Sequence, residues 1–441
     1  MIIRPVKRIL GTVRLPGDKS ISHRAAIVAA LAKGESRLRN YSTSADCEST
    51  LSCLRQLGVD LEHSGNEVLI NGVGLDGLRA PATALDCGNS GTTMRLLAGI
   101  LAGQRFDSIM TGDESLRARP MQRIVEPLRM MGASVSSQDG RAPLVISRRR
   151  PLHAIEYELL IASAQVKSCI LLAGLYADGR TEVIENETTR DHTERMLRWF
   201  GVPLETGAAE RYGLDARYAA VRRPAQLQAR DVAIPGDISS AAYFIAAAAL
   251  LPESSLEVSG VGVNPTRIQF VKQLQAFGLD VSVTDSAEES NEPVGTVQVR
   301  GLRESQIVES QNTPIMINGS LVPQLIDELP LLAVVGTQLD GGLEIREAAE
   351  LRLKESDRIA TTVQNLRVMG AEVAEFDDGL RVASRARLCG ARIDPRGDHR
   401  IAMAFAVAAL LAEGETEIDD AGCVAISFPE FFELLESVVQ R

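Results

Sequence analysis

The chain has 441 residues, 45% hydrophobic and 24% charged, with 47 Lys+Arg against 58 Asp+Glu and a net charge of −11. That make-up fits a globular protein of two or three domains and excludes a disordered, collagen-like or coiled-coil chain. The acidic balance, with 4% aromatics and a single Trp (Trp199), excludes nucleic acid as a default partner: phosphate backbones need basic surface, and single strands need aromatic platforms.

Met1–Leu15 alternates apolar with basic residues, which predicts strand and not a leader. The polar turn Pro16-Gly17-Asp18-Lys19-Ser20 then opens a helix, Ala25–Ala32, that is apolar nearly all round and therefore buried. The turn is not a P-loop, because Asp18 separates Gly17 from Lys19. An amphipathic helix follows and ends at Leu54-Arg55-Gln56-Leu57-Gly58, with the glycine as cap before the next strand. The same phrase returns around Gly132, Gly201, Gly278 and Gly370, at spacings of 74, 69, 77 and 92 residues, and without its glycine at Phe431–Val439. The polar turn returns too: Gly88-Asn89-Ser90-Gly91-Thr92, Ala162-Ser163-Ala164-Gln165, Pro235-Gly236-Asp237-Ile238-Ser239, Ile326-Asp327-Glu328-Leu329-Pro330 and Gly397-Asp398-His399-Arg400. Strand-like stretches, such as Gly342–Ile345 and Thr416–Ile418, follow the apolar helices. Six units are thus predicted, each a strand, a buried helix, a strand, an outer helix and a strand.

Between these units, Arg148-Arg149-Arg150 reads as a solvated connector and the acidic Ser286–Glu292 as an exposed loop. The longest apolar run, Ala241–Leu251, falls short of the ~20 residues that span a bilayer, so no membrane partner is expected. The six cysteines form no CxxC pair and the five histidines no ligand spacing. Reduced thiols, a cytoplasmic location and no metal are expected.

Free N–H groups and the positive dipole end stand at the start of every buried helix. If the six units group as two sets of three, their helix starts can face one cleft and attract anions without a basic protein. Cations gather in the same turns: Lys19 and Arg24 with Ser20, then Arg119, then Lys354 and Arg358 at i and i+4 on one predicted helical face, then Arg400.

Several of these stretches resemble the 5-enolpyruvylshikimate-3-phosphate synthases of the enolpyruvyl transferase family. The resemblance rests on Leu15–Arg24, Leu85–Arg95, Arg117-Ala118-Arg119-Pro120-Met121, Ser163–Ser168, Thr189-Arg190-Asp191-His192-Thr193, Pro235–Ser240, Asp327-Glu328-Leu329-Pro330, Lys354–Arg358 and Gly397–Arg400. It implies an α/β (α+β) fold of two domains, each of three βαβαββ repeats around buried parallel helices. The chain would cross between them near Gly17 and Pro235, giving 1–17 plus 235–441 and 18–234, with the active site in the cleft. The implied reaction adds the enolpyruvyl group of phosphoenolpyruvate to the 5-hydroxyl of shikimate 3-phosphate and releases phosphate. It needs no cofactor and is the penultimate step toward chorismate. The working form would be a monomer.

By the same resemblance, Lys19, Ser20, Arg24, Ser163, Ala164, Gln165, Arg190, Asp327 and Lys354 belong to shikimate 3-phosphate. Lys19, Gly91, Arg119, Gln165, Arg358 and Arg400 belong to phosphoenolpyruvate. Asp327, Glu355 and Lys19 carry the catalysis, Asp327 as proton acceptor and Glu355 at the methylene carbon. One departure is Ile426-Ser427-Phe428-Pro429, where some members carry a Lys before the Phe-Pro. The alternative within the fold is a UDP-N-acetylglucosamine enolpyruvyl transferase, whose loop Cys would stand where this chain has Glu114. The alternative outside enzymes is an anion-binding scaffold, which would lack Lys19, Asp327 or Glu355.

The charges fit two such anions. The substrates bring roughly −5 to −6 from their phosphates and carboxylates. Lys19, Arg24, Arg119, Arg190, Lys354, Arg358 and Arg400 oppose them, less Asp327 and Glu355. Addition followed by elimination needs a base at the hydroxyl and an acid at the methylene carbon. The residues leave other roles open: Asp327 can cap the helix after Glu328, and Glu355 can pair with Lys354 or Arg358.

Overall fold

Six helices have little or no polar face: Lys19–Leu31, Gly91–Ala102, Ala164–Gly174, Ile238–Leu250, Leu329–Gly336 and His399–Leu411. Five begin at a side chain that bonds a first-turn N–H: Asp18, Ser90, Ser163, Asp237 and Asp398. These are the polar turns of the sequence, and each satisfies a donor that would otherwise be buried unpaired. This computed structural model describes residues 1–148, 151–211, 213–301 and 314–441, so Arg149 and Arg150 of the basic connector lie outside the described residues.

The chain forms two units. One comprises Met1–Leu15, Pro235–Ala287 and Pro293–Arg441, and the other Pro16–Ile234 with Glu288–Glu292. Each unit has its own apolar core built on three of the helices. Small residues let the helices close up: a Cβ on Gly99 would fall 2.2 Å from the carbonyl oxygen of Cys169 on the Ala164 helix. No helix among the described residues is long and apolar enough to cross a membrane. All six cysteines are unpaired, and burial pushes the Cys47, Cys169 and Cys423 thiols up to about 12.

Three four-stranded sheets share one pattern, in which two parallel strands are followed by antiparallel ones. Leu85–Asp86 runs parallel to Ser108–Thr111, which pairs antiparallel with Arg141–Ser147, and that strand with Ser134–Gln138. Glu156–Glu158, Arg180–Glu185, Leu214–Arg222 and Leu204–Arg211 repeat it. So do Ile315–Ile317, Leu343–Ile345, Gly379–Val382 and Val373–Phe376. A parallel pair is joined through a buried helix, and the hairpin follows an outer helix, which is the repeat predicted from the sequence.

Two repeats take their first strand from far along the chain. Ala32–Arg39, after the Lys19 helix, pairs in parallel with Leu227–Gln228 and Val232–Ala233 at the end of the same unit. Ser255–Gly262, after the Ile238 helix, pairs in parallel with Arg8–Arg14.

The acidic segment expected as a loop is instead part of a hairpin, between strands Asp280–Glu289 and Glu292–Arg300. Ser290 and Asn291 sit at φ of 49° and 65°, the two left-handed positions of a tight two-residue turn. Ser286–Glu289 are exposed as expected, whereas Glu292 is buried.

Candidate active site

Each unit carries one cluster of charged side chains at its helix starts. In the unit built on residues 16–234, Lys19 is the first residue of its helix, and its ammonium lies 2.8 Å from a carboxylate oxygen of Asp46. Arg24, one turn on and buried, donates from Nη1 to the Ser20 carbonyl at 2.9 Å, from Nε to Thr193 Oγ1 at 2.7 Å and from Nη2 to Ser168 Oγ at 2.8 Å. Ser168 and Thr193 lie on the Ala164 helix and on His192–Trp199, so Arg24 joins three elements around Ser163-Ala164-Gln165. Burial, with the charge of Arg190 adding to it against the pull of Glu194, lowers Arg24 to about 10. Like charges that act on one another repel, and an anion between them relieves the repulsion.

Gly91, Arg119 and Gln165 meet through a residue the sequence reading passed over, Arg95. Its Nη1 donates to Gln165 Oε1 at 2.5 Å and its Nη2 to the Pro120 carbonyl at 3.3 Å, while Gln165 Nε2 donates to Thr92 Oγ1 at 2.8 Å. Arg119, also buried, donates to the Asn89 side chain at 2.6 Å, to the Asn89 carbonyl at 3.2 Å and to Ser115 Oγ at 3.1 Å. A Cβ on Gly91 would stand 2.8 Å from Arg95 Nη1 and 3.7 Å from Arg119 Nη1. Gly91→Ala is therefore expected to fold normally, since only a flexible tip must move, but to displace Arg95 and with it Gln165. On the substrates that the resemblance implies, the Michaelis constant for phosphoenolpyruvate should rise several-fold and that for shikimate 3-phosphate by less, through the shared Gln165, as steady-state rates will check.

In the other unit, the Asp327 carboxylate lies 3.6 Å from Arg358 Nη1 and 3.5 Å from Arg400 Nη2. The cap position of the following helix belongs not to Asp327 but to Glu328, which makes no side-chain cap bond. Arg358 is 1% exposed and donates to both oxygens of the fully buried Asp398, at 2.8 and 3.2 Å, and to Glu355 at 2.6 Å. Burial alone would lower Arg358, but Asp398 and Glu355 outweigh it and hold the guanidinium protonated. Arg400 is held the same way, burial being outweighed first by Asp327. Asp398 also caps the His399 helix through the Arg400 N–H at 2.9 Å, so one carboxylate sets both arginines.

Two expectations change. Lys354 and Arg358 do not share a helical face: a short 3₁₀ turn ends at Leu353, Asp357 caps a new helix through the Ala360 N–H, and Arg358 is its first residue. Lys354 faces Glu350 at 3.5 Å. The simple charge count is also incomplete, because Asp46, Asp398, Glu328 and Glu194 stand against cations counted as open. An anion bound here would share these cations with resident carboxylates. Glu114, where the alternative transferase carries its Cys, is an exposed first-turn residue of Glu114–Ala118. Ile426 packs against its unit's core.

Comparison with known proteins gives one answer. The profile of the family described as EPSP synthase (3-phosphoshikimate 1-carboxyvinyltransferase) matches residues 3–435. A protein of Koribacter versatilis named 3-phosphoshikimate 1-carboxyvinyltransferase is 50% identical over 440 residues, covering 100% of this chain and 99% of that one. One of Solibacter usitatus with the same name is 47% identical, covering 99% of both. Among solved structures, EPSP synthase from Acinetobacter baumannii superposes with a TM-score of 0.84 at 39% identity, covering 99% of this chain and 97% of that one. The enolpyruvyl transferase NikO from Streptomyces tendae, at 20% identity and a TM-score of 0.75, shares the fold; the match covers 99% of this chain and 96% of that one.

Proposed function

Because this chain belongs to the EPSP synthase family, we propose that the two clusters serve one turnover and divide its chemistry between them. The chain is an enzyme that transfers the enolpyruvyl group of phosphoenolpyruvate to shikimate 3-phosphate in aromatic biosynthesis.

On this reading Arg24, Arg190, Ser20 and the Ser163-Ala164-Gln165 helix start take the phosphate of shikimate 3-phosphate. Lys19 bridges the two substrates. Arg119, Gly91 and Gln165 in one unit, with Arg358 and Arg400 in the other, take phosphoenolpyruvate. Guanidinium forks suit its carboxylate and phosphate by bidentate pairing. Lys354 meets the ring hydroxyls.

The observation that carries the assignment of roles is the placing of Asp327. Its carboxylate is held by two guanidiniums and not spent on a helix cap. When an anion engages those guanidiniums, their hold on the carboxylate weakens and its appetite for a proton grows. The base is thus strengthened by arrival of the second substrate. Attack of the hydroxyl oxygen on C2 forms the C–O bond as C3 takes a proton. Phosphate then leaves with the C–O electron pair as C3 gives a proton up. Glu355, bonded to Arg358, serves C3. The working form is a monomer in the cytoplasm, where unpaired, mostly buried thiols persist.

The test is phosphate release from phosphoenolpyruvate with shikimate 3-phosphate or UDP-N-acetylglucosamine as acceptor, run on wild type, Arg119→Ala and Arg400→Ala. Only the first acceptor should support turnover. Each variant, one from each cluster, should raise the Michaelis constant for phosphoenolpyruvate by a factor worth about 2–5 kcal/mol. An effect confined to one of the two variants would separate the clusters.

A further inference from the structure

The Ala164 helix carries a buried ammonium that the mechanism above does not use. Lys167, 1% exposed, lies 2.7 Å from Glu194 Oε1 and 3.0 and 3.2 Å from the two oxygens of Glu185. Glu185 ends the strand Arg180–Glu185 and Glu194 lies on His192–Trp199, so the ammonium ties three elements together beneath Ser163-Ala164-Gln165. Glu185 does a second job. Its Oε2 accepts from the Thr189 hydroxyl at 2.6 Å and from the Thr189 N–H at 3.2 Å. Thr189 is buried and immediately precedes Arg190 in the segment between that strand and that helix. Two carboxylates against one ammonium leave a negative surplus, and Arg24 feels the charge of Glu194 from the other side. The whole group therefore holds Arg24 and the Arg190 segment at once.

Resting on the substrate assignment above, we propose that Thr189 is a positioning residue for shikimate 3-phosphate: by bonding twice to Glu185 it holds Arg190 beside Arg24, where the two guanidiniums meet the phosphate together. A hydroxyl donating to a buried carboxylate makes a short, charge-assisted bond. Holding two guanidiniums near each other without an anion is unfavourable, so the segment that carries the second must be anchored from below. The Lys167–Glu185 pair is that anchor. Thr189 touches no substrate on this reading and acts only through Arg190.

Thr189→Val keeps the shape and the N–H bond and removes the hydroxyl donor, and Thr189→Ser restores the donor. Calorimetric titration of the full chain with shikimate 3-phosphate, with initial rates on both substrates, reads the outcome. The Val variant should bind shikimate 3-phosphate about tenfold or more weakly, as befits loss of one charge-assisted bond. Its Michaelis constant for that substrate should rise in step. Its maximal turnover and its Michaelis constant for phosphoenolpyruvate should stay within about twofold of wild type, and the Ser variant should match wild type. Thr189→Ala, which adds no buried methyl in place of the hydroxyl, is read the same way if the Val variant fails to fold. Equal affinity in the Val variant and wild type overturns the proposal, as does a loss confined to turnover or to phosphoenolpyruvate, or a Ser variant as weak as Val. Failure of wild type to bind shikimate 3-phosphate would overturn the substrate assignment as well, which sets the two failures apart.

Discussion

Asp327→Asn is expected to fold, to bind shikimate 3-phosphate and to lose turnover by about 10²–10⁴, the usual cost of removing a general base. The side-chain shape is kept, and the cap position of the next helix is Glu328, not Asp327. Arg358 keeps Asp398 and Glu355 as partners, and Arg400 keeps Glu328 at 4.0 Å, so neither guanidinium is stranded. What disappears is the basic carboxylate oxygen that takes the hydroxyl proton. Quenched-flow turnover, calorimetry with shikimate 3-phosphate and thermal melts measure the three quantities separately. If Asn at this position turns over at the wild-type rate, the base lies elsewhere, with Glu355 next in line. If binding and turnover fall together, Asp327 orients the substrate and does not activate it.

Lys167→Met is expected to cost about 3–5 kcal/mol of stability, because it leaves Glu185 and Glu194 buried without their cation. Both carboxylates are less than a tenth exposed. Burial pushes the Lys167 ammonium down, but Glu194 and Glu185 outweigh it and hold the group above its ordinary 10.5. A folded value raised above the unfolded one makes this contribution complete below about pH 10.5 and erodes it as pH climbs through the higher folded value. Urea denaturation at pH 7.5 should show the gap between variant and wild type. A gap that is small would mean that the three residues do not form a charge-balanced core.

The repeat was legible in the sequence because its punctuation is local. Gly58, Gly132, Gly201, Gly278 and Gly370 sit at φ of 85°, 87°, 82°, 82° and 92°, the left-handed cap that glycine accepts without strain. The cap residues Asp18, Ser90, Ser163, Asp237 and Asp398 stand where the polar turns end. What the sequence hid were partners distant along the chain. Asp46 meets Lys19 across 27 residues, Asp398 meets Arg358 across 40, and Gln165 meets Arg95 across 70. A carboxylate that pairs at such range looks like a surface charge until the fold is known. The break between Lys354 and Arg358 was readable and was missed: Ser356-Asp357 before an apolar-periodic run is a helix-start signal, and it outranks spacing along an assumed continuous helix. The hairpin at Ser290-Asn291 was concealed by charge, which marks solvent exposure as well in a strand as in a loop.

The strand Arg8–Arg14 lies between two partners that are translated long after it: Ser255–Gly262 on one side and Val439–Gln440 on the other, with Arg8 opposite Gln440. Ile2–Ile3 likewise waits for Thr416–Ile418. On the ribosome, the core formed by residues 21–234 is complete once that stretch has emerged, whereas Leu10–Arg14 wait for Ser255–Gly262, Ile2–Ile3 for Thr416–Ile418, and Arg8–Ile9 for Val439–Gln440. The leading end of the nascent chain is therefore the last part to be sealed. A truncation of only the last few residues would open the edge of a strand that begins at the other terminus, and would do more harm than its length suggests.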